Sequence, residues 1–296
     1  MGSKSKIAKR IIELFPSADN FYDIFGGGFS MTHCLLTERP GDFKNFHFNE
    51  LRPGVCDLIK DAINGKYSYA NKLPEWVSRE DFTAKKDTDP EVKILWSFGN
   101  NGRDYLFSKE IESYKKSMHM AVVFNQFDTR AREVFGFSAF PEDMPIKERR
   151  FLLRKVIRER HPDKPRGELQ QLQQLQQLER LERLEQLERL QQLQQLELSS
   201  LDYREIEIKK NSVVYCDPPY IGTCKYDSDF NHKKFWEWAS EIKEPLFVSE
   251  YICPNDNFTE ILAIEKRCTL SASSNTTKTT EKVFCNKVAL GRIAHD

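Results

Sequence analysis

The sequence predicts a parallel α/β fold, on three observations. Short apolar strands alternate with amphipathic helices over residues 20–63. Strand signals return after residue 200, in "SVVYC" and "LFVSEY". Two strands end abruptly, one in a glycine run, "DIFGGGFS", the other in an acid and two prolines, "CDPPY". Alternation of strand and helix implies parallel pairing with helices covering the sheet. Proline has no N–H for a ladder, so the second of these strands must stop at Asp217.

Taken in order, residues 4–15 read as a helix with Ile7, Ile11, Ile12 and Phe15 on one face. "NFYDIF" reads as the first strand and "FSMTHCLL" as its helix; "KNFHFNE" and "RPGVCDLIKDAI" repeat the pattern. "EVKILWSF" (91–98) reads as another strand or a buried segment, and 104–160 as mostly helical. "AIEKRCTL" and "EKVFCNKVAL" flank the polar loop "SASSNTTKTT", which predicts an antiparallel hairpin. Between these regions, residues 169–196 place Leu at every third position. Three residues advance a helix by about 300°, so the leucine stripe would circle it. The Leu, Gln, Glu and Arg composition still favours helix of some kind. A small solenoid is the next reading and disorder the third. Ten leucines need cover, from the same chain or from self-association.

Composition narrows the function classes. With 296 residues, 39% hydrophobic and 30% charged, the chain can bury a sizeable core. No apolar run approaches a membrane span of about 20 residues, and residues 1–16 lack an apolar signal-peptide core. The seven cysteines are scattered and never spaced CxxC, which points away from disulfides and zinc and towards a reducing cytoplasm. Net charge is zero, so a nucleic-acid partner must be sought in local charge. Residues 147–166 hold nine Lys/Arg against three acids, a net of +6. That stretch is either a solvated helix face or a surface that follows phosphates.

The glycine run is neither a GxGxxG fingerprint nor a phosphate loop, but it lets a ligand approach the backbone. Glu50 follows at the end of the next strand, where nucleotide-binding α/β folds often hold ribose hydroxyls. Ligands of open α/β sheets bind at the carboxyl ends of strands, where FGGG and DPPY both lie. This set of motifs resembles the N6-adenine DNA methyltransferases, in the order with the cofactor loop first and DPPY last. "GSK" (2–4) is similar to that family's GGK element, with Ser3 in place of its second glycine. "DIFGGGF" resembles its FxGxG loop, "NE" (49–50) its ribose acid, "DYREI" (202–206) its adenine-reading acid, and "DPPYIGTCKY" its catalytic motif.

The resemblance implies a Rossmann-like S-adenosylmethionine-dependent methyltransferase sheet, with a mostly helical target-recognition insertion and a leucine-triplet insertion. The expected division is 1–95 with 200–296 as catalytic domain, 96–166 for target recognition and 167–199 for the repeat. It implies S-adenosylmethionine as cofactor, no required metal, and double-stranded DNA as partner, in a bacterial or phage (restriction-modification-like) setting. Asp217, Pro218, Pro219 and Tyr220 are the implied catalytic residues. Gly2, Lys4, Asp23, Phe25, Gly26, Gly27, Gly28, Glu50, Asp202 and Tyr203 are the implied cofactor residues. Arg149, Arg150, Arg154, Lys155, Arg158 and Tyr226 are the expected DNA contacts. The rivals are methylation of RNA or of protein glutamine, and a non-catalytic DNA-binding or assembly protein.

Overall fold

The computed structural model describes residues 4, 7–67, 73–188, 195–221, 230–267 and 278–293. In chain order the first elements are α1 (Ala8–Ile12), β1 (Asn20–Asp23), α2 (Ser30–Glu38), β2 (Asn45–Asn49) and α3 (Val55–Ile63). A helical run follows: α4 (Arg79–Lys85), α5 (Pro90–Leu95), α6 (Lys109–Phe124), α7 (Thr129–Phe135), α8 (Ile146–Arg160), α9 (Arg166–Gln173) and α10 (Gln176–Glu188). The last elements are β3 (Leu196–Ser199), β4 (Ser212–Cys216), α11 (His232–Glu241), β5 (Leu246–Glu250), β6 (Phe258–Arg267), β7 (Lys278–Asn286) and α12 (Lys287–Ile293). No helix among the described residues is long and apolar enough to cross a membrane.

Two compact units result, Gly2–Cys56 with Leu190–Asp296, and Asp57–Arg189. The first unit holds a seven-stranded sheet in the order β3-β2-β1-β4-β5-β7-β6. β1 to β5 pair in parallel, and β7 runs antiparallel to both β5 and β6. This is a doubly wound, Rossmann-like α/β sheet, as the sequence predicts, with the predicted hairpin at its edge. The strand order reverses between β1 and β4, where Asn20 faces Ser212 and Asp23 faces Tyr215.

β1, β4 and β5 are buried along their whole length, because helices cover both faces. Alternate residues therefore serve two cores. Phe21, Phe46, Tyr215 and Phe247 pack on one side with Phe15 and Phe43. Ile7, Ile11 and Ile12 are buried, as their spacing predicts, although the helix itself spans only Ala8–Ile12. Tyr22, Val214, Cys216 and Val248 pack on the other side with Phe235, Trp236 and Ala239 of α11. Each such aromatic or aliphatic side chain contributes about 1.5–3 kcal/mol of burial.

Two expectations change, and one open reading closes. "EVKILWSF" is a buried segment and not a strand: Asp89 caps Glu91 and Val92, Pro90 opens the first turn, and α5 forms with Val92, Ile94 and Leu95 buried. The "KVAL" end of the last strand is the start of α12. The tail of the leucine segment is β3, whose Leu196 lies opposite Phe46. The compact units divide at residues 56 and 57, and the helical unit runs on through the leucine segment to Arg189.

Within the helical unit, the triplet repeat is helical where described. The helix breaks at Gln174, whose ψ of 125° is extended, and restarts at Gln176. The break resets the circling stripe, so that Leu175, Leu178, Leu181 and Leu187 are all buried. Polar side chains that the circling stripe carries inward find partners there. Gln177 bonds the ring of His119, and Arg180 donates to the carbonyls of Ile94, Leu95 and Ser97. The leucines described as buried are thus covered by their own unit.

Candidate active site

The sheet unit gathers candidate site residues at the carboxyl ends of β1, β2, β4 and β5. β1 delivers Asp23, then the turn Ile24-Phe25-Gly26-Gly27-Gly28 leads into α2. Gly26 is obligatory: a Cβ there would sit 1.9 Å from the Phe48 ring. Gly27 has φ +56°, and a Cβ on Gly28 would meet nothing within 4 Å. The turn is thus packed beneath and open above. Phe25 instead joins the aromatic cluster of Tyr203, Phe230 and Phe235.

Asp23 is fully buried. Thr32 of α2 donates to its Oδ2 at 2.8 Å, while Oδ1 has no hydrogen-bond partner among the described residues. Burial pushes its pKa up to about 7, against the Thr32 hydrogen bond. Glu50, at the end of β2, accepts from Gly27 N at 2.7 Å and from Arg52 N at 3.0 Å, and pairs with Arg52 Nε at 2.9 Å. Those donors tie the glycine turn to β2.

β4 delivers Asp217-Pro218-Pro219-Tyr220, with no break after the buried Cys216. Lys4 Nζ pairs with Asp217 Oδ1 at 2.9 Å. The same ammonium also meets Glu281 of β7 and the Tyr220 hydroxyl, and that hydroxyl donates to Glu281. Lys4 and Glu281 are both buried. Burial raises the Asp217 pKa and Lys4 opposes that rise; burial also works against the Lys4 charge, but Asp217 and Glu281 outweigh it and raise the Lys4 pKa. The Tyr220 ring meets Tyr251 edge to face, centroids 4.6 Å apart. Glu250 of β5 accepts from Ile221 N at 3.2 Å and Tyr251 N at 2.7 Å, so it fastens the chain just after the motif. Burial lifts its pKa to about 7.

The expected cofactor residues divide into groups. Asp23, Gly26, Gly27, Gly28 and Glu50 come together as the sequence predicts. Lys4 lies against Asp217 and Tyr220. Tyr203 is a buried residue, packed among Phe25, Phe230, Phe235 and Trp238. Asp202 caps a 3₁₀ turn over Tyr203–Glu205 and pairs with Arg204 at 2.7 Å, a bond that lowers its pKa. Gly2 and Tyr226 lie outside the described residues. Glu250, Glu281, Thr32 and Arg52 escape sequence reasoning, because each sits in a segment without a motif. Glu250 alone carries a signal: an acid closing the apolar run "LFVSE".

The expected DNA contacts divide as well. Arg149 and Arg150 are buried and are not on the exposed face of α8. Arg149 donates to the Val122 carbonyl at 3.3 Å and lies 5.4 Å from the Phe140 ring centroid. Arg150 pairs with Glu182 and, at 3.6 Å, with Glu179. Arg154 shares Glu179 but stays partly exposed, and Lys155 and Arg158 are exposed. Arg154 and Arg158 line an open groove of about 410 Å³ with Gln170, Gln173 and Gln174. Asn125 is committed to the fold. It ends α6 in the left-handed region and bonds the Phe140 backbone in both directions.

No family model and no curated protein matches the chain. Among solved structures, two of the rRNA methyltransferase AviRa from Streptomyces viridochromogenes are similar, at 10% identity with TM-scores of 0.39 and 0.38. Each match covers 100% of this chain and 88% of that one. Overlap at that level carries no functional argument. The strand order and the site stand on their own: a doubly wound α/β protein with a cluster of carboxylates at its topological switch point.

S-adenosylmethionine is the cofactor that the motifs imply, and the residues present suit it. It carries two positive charges, and the unpartnered, buried Asp23 Oδ1 is an acceptor suited to a cationic donor. The space above Gly28 leaves room for a ligand against the backbone. Glu50 fits less simply. Gly27 and Arg52 already occupy both of its oxygens, so ribose hydroxyls would have to displace the Arg52 side chain.

Proposed function

We propose that the chain is an S-adenosylmethionine-dependent methyltransferase that modifies N6 of adenine in DNA. The observation that carries this reading is the placement of Asp217-Pro218-Pro219-Tyr220 at the end of β4, beside the glycine turn of β1, where the strand order reverses. Asp23, Gly28 and Glu50 would hold the cofactor, which supplies an electrophilic methyl group when bound.

The chain's own residues would then activate a poor nucleophile. The lone pair of an exocyclic adenine amine is delocalised into the ring. The amine must become tetrahedral to attack, and it gains positive charge as it does so. Asp217 accepts one N6–H, and the Pro218 carbonyl a second. Both acceptors are fixed in advance, since the proline rings lock φ. Preorganised acceptors facing developing positive charge are the sign-reversed form of an oxyanion hole. Lys4 helps to keep Asp217 ionised against its burial, so that it accepts rather than donates. Tyr220, anchored at its hydroxyl, offers a ring face on which an extruded base can stack. On the helical unit, Arg154, Lys155 and Arg158 are the cations suited to backbone phosphates, which position a duplex without reading it.

The test is methyl transfer from labelled S-adenosylmethionine to duplex DNA, structured RNA and a protein extract, each offered separately. N6-methyldeoxyadenosine in digests of the DNA supports the reading. Label confined to RNA or protein overturns the substrate, and no transfer to any of the three overturns the activity.

A further inference from the structure

We infer that Glu281 is a positioning residue for the transfer step, acting through Lys4 and Tyr220. Its carboxylate binds two groups that act on the substrate side of the site, the Lys4 ammonium and the Tyr220 hydroxyl. It comes from β7, the antiparallel strand next to β5, and so is remote in sequence from DPPY. It is buried, at 2% exposure, among groups that an isolated carboxylate would not tolerate. A buried acid that served packing alone would need one partner. Here one carboxylate holds the cation that meets Asp217 and the ring that follows it.

The charges explain the arrangement. With Glu281 ionised, Lys4 is shared between two carboxylates and the trio keeps one net negative charge. With Glu281 neutral, Lys4 would neutralise Asp217 outright and the trio would carry none. An acceptor facing a positively charged methyl donor and an amine gaining charge needs the first state. Asp217 also senses Tyr220, Tyr215 and Cys216 of its own segment, Asp23 of β1 and Glu250 of β5. Glu281 differs from these groups in forming an ion pair with the Lys4 ammonium that also pairs with Asp217. Loss of its charge lets Lys4 depress the Asp217 pKa further.

This inference rests on the methyltransferase reading for its kinetic arm but not for its chemical one. Wild type, Glu281→Gln and Glu281→Asp are compared in two measurements on the same preparations. The first is the acylation rate of Lys4 by an N-hydroxysuccinimide acetate, followed by peptide mass spectrometry. The second is the pH profile of methyl transfer from S-adenosylmethionine to plasmid duplex. Glu281→Gln should acylate at Lys4 about 10-fold faster or more, as loss of a charge-assisted hydrogen bond implies. Its kcat should fall about 10-fold or more with KM for the cofactor kept within about 2-fold, and the acidic limb of kcat/KM should move to lower pH. Glu281→Asp keeps the charge at shorter reach, so the limb should stay and kcat should lie between the others. Should Glu281→Gln fail to fold, this second variant decides: full wild-type kcat and Lys4 protection with a shortened side chain overturn the inference. Unchanged Lys4 acylation in a folded Glu281→Gln overturns it too, as does a fall in kcat with the limb unmoved. If wild type methylates nothing, the methyltransferase reading fails while the acylation arm still decides whether Glu281 holds Lys4.

Discussion

At the scale of single residues, the site is a set of carboxylates held at different charge by their surroundings. Asp217 is steadied by its ion pair with Lys4, whereas Asp23 and Glu250 form no ion pair among the described residues and burial lifts both to about 7. Replacing Asp217 with Ala removes a preorganised acceptor, and single-turnover methylation should fall by about 10²-fold or more. Cofactor affinity, measured by calorimetry in the same samples, should be largely kept, because Asp23 and Glu50 lie on other strands. Asp23 gives a second expectation, whose sign follows from proton counting. The folded chain holds protons on Asp23 and Glu250 that the unfolded chain releases near 3.8 and 4.5. Stability without ligand should therefore fall as pH rises from about 4 towards 7. Affinity for a cationic cofactor should do the opposite and rise as Asp23 ionises. Thermal unfolding with and without S-adenosylmethionine from pH 5 to 8 separates the two trends, and Asp23→Asn should flatten the second.

At the scale of elements, motifs and periodicity reveal different things. The strands that end in FGGG and DPPY are legible because glycine and proline act through their own backbone, with no help from distant residues. The hairpin is legible for the same local reason. α5 is hidden: "EVKILW" is apolar enough for a buried strand, and only the Asp89-Pro90 cap betrays the helix. Arg149 and Arg150 are hidden too, since their partners Val122, Glu179 and Glu182 come from other helices and a charge run looks the same wet or buried. Glu281 is the clearest case, because what makes it functional is Lys4, 277 positions away. The triplet repeat is helical, as read, over α9 and α10, but the break at Gln174 that makes period three workable has no proline or glycine to announce it. That break makes a prediction. Leu178 is fully buried, so Leu178→Ala should destabilise the chain by about 2–5 kcal/mol, whereas truncating half-buried Leu169 should cost far less. Urea denaturation of both variants checks the contrast.

At the scale of the whole molecule, zero net charge conceals a division of labour. The sheet unit concentrates acid at its ligand end, suited to a cationic cofactor. The exposed cations of α8 offer the matching sign for a polyanion. If Arg154 and Arg158 both contact phosphate, replacing them with Gln should weaken binding to specific and random duplexes alike. The slope of log affinity against log salt should become shallower by about 1–2 units. Arg150→Gln, which leaves Glu182 without its buried partner, should lower thermal stability and leave the slope alone. A salt titration of the three proteins separates a phosphate contact from a structural ion pair.

The pairing of β1 with β4 has a consequence for how the molecule comes into being. Asn20 must wait for Ser212, and every residue of the helical unit is synthesised between them. A nascent chain therefore exposes the apolar strands β1 and β2 long before their neighbours leave the ribosome. The helical unit is continuous in sequence and rich in local contacts, so it can fold while the sheet is still waiting. Assembly of the sheet's carboxyl end is thus the last event of biosynthesis. Truncation after Glu188 and before β3 leaves β1 and β2 paired with each other but lacking β3 and β4, with apolar edges that make a natural substrate for chaperones and proteases.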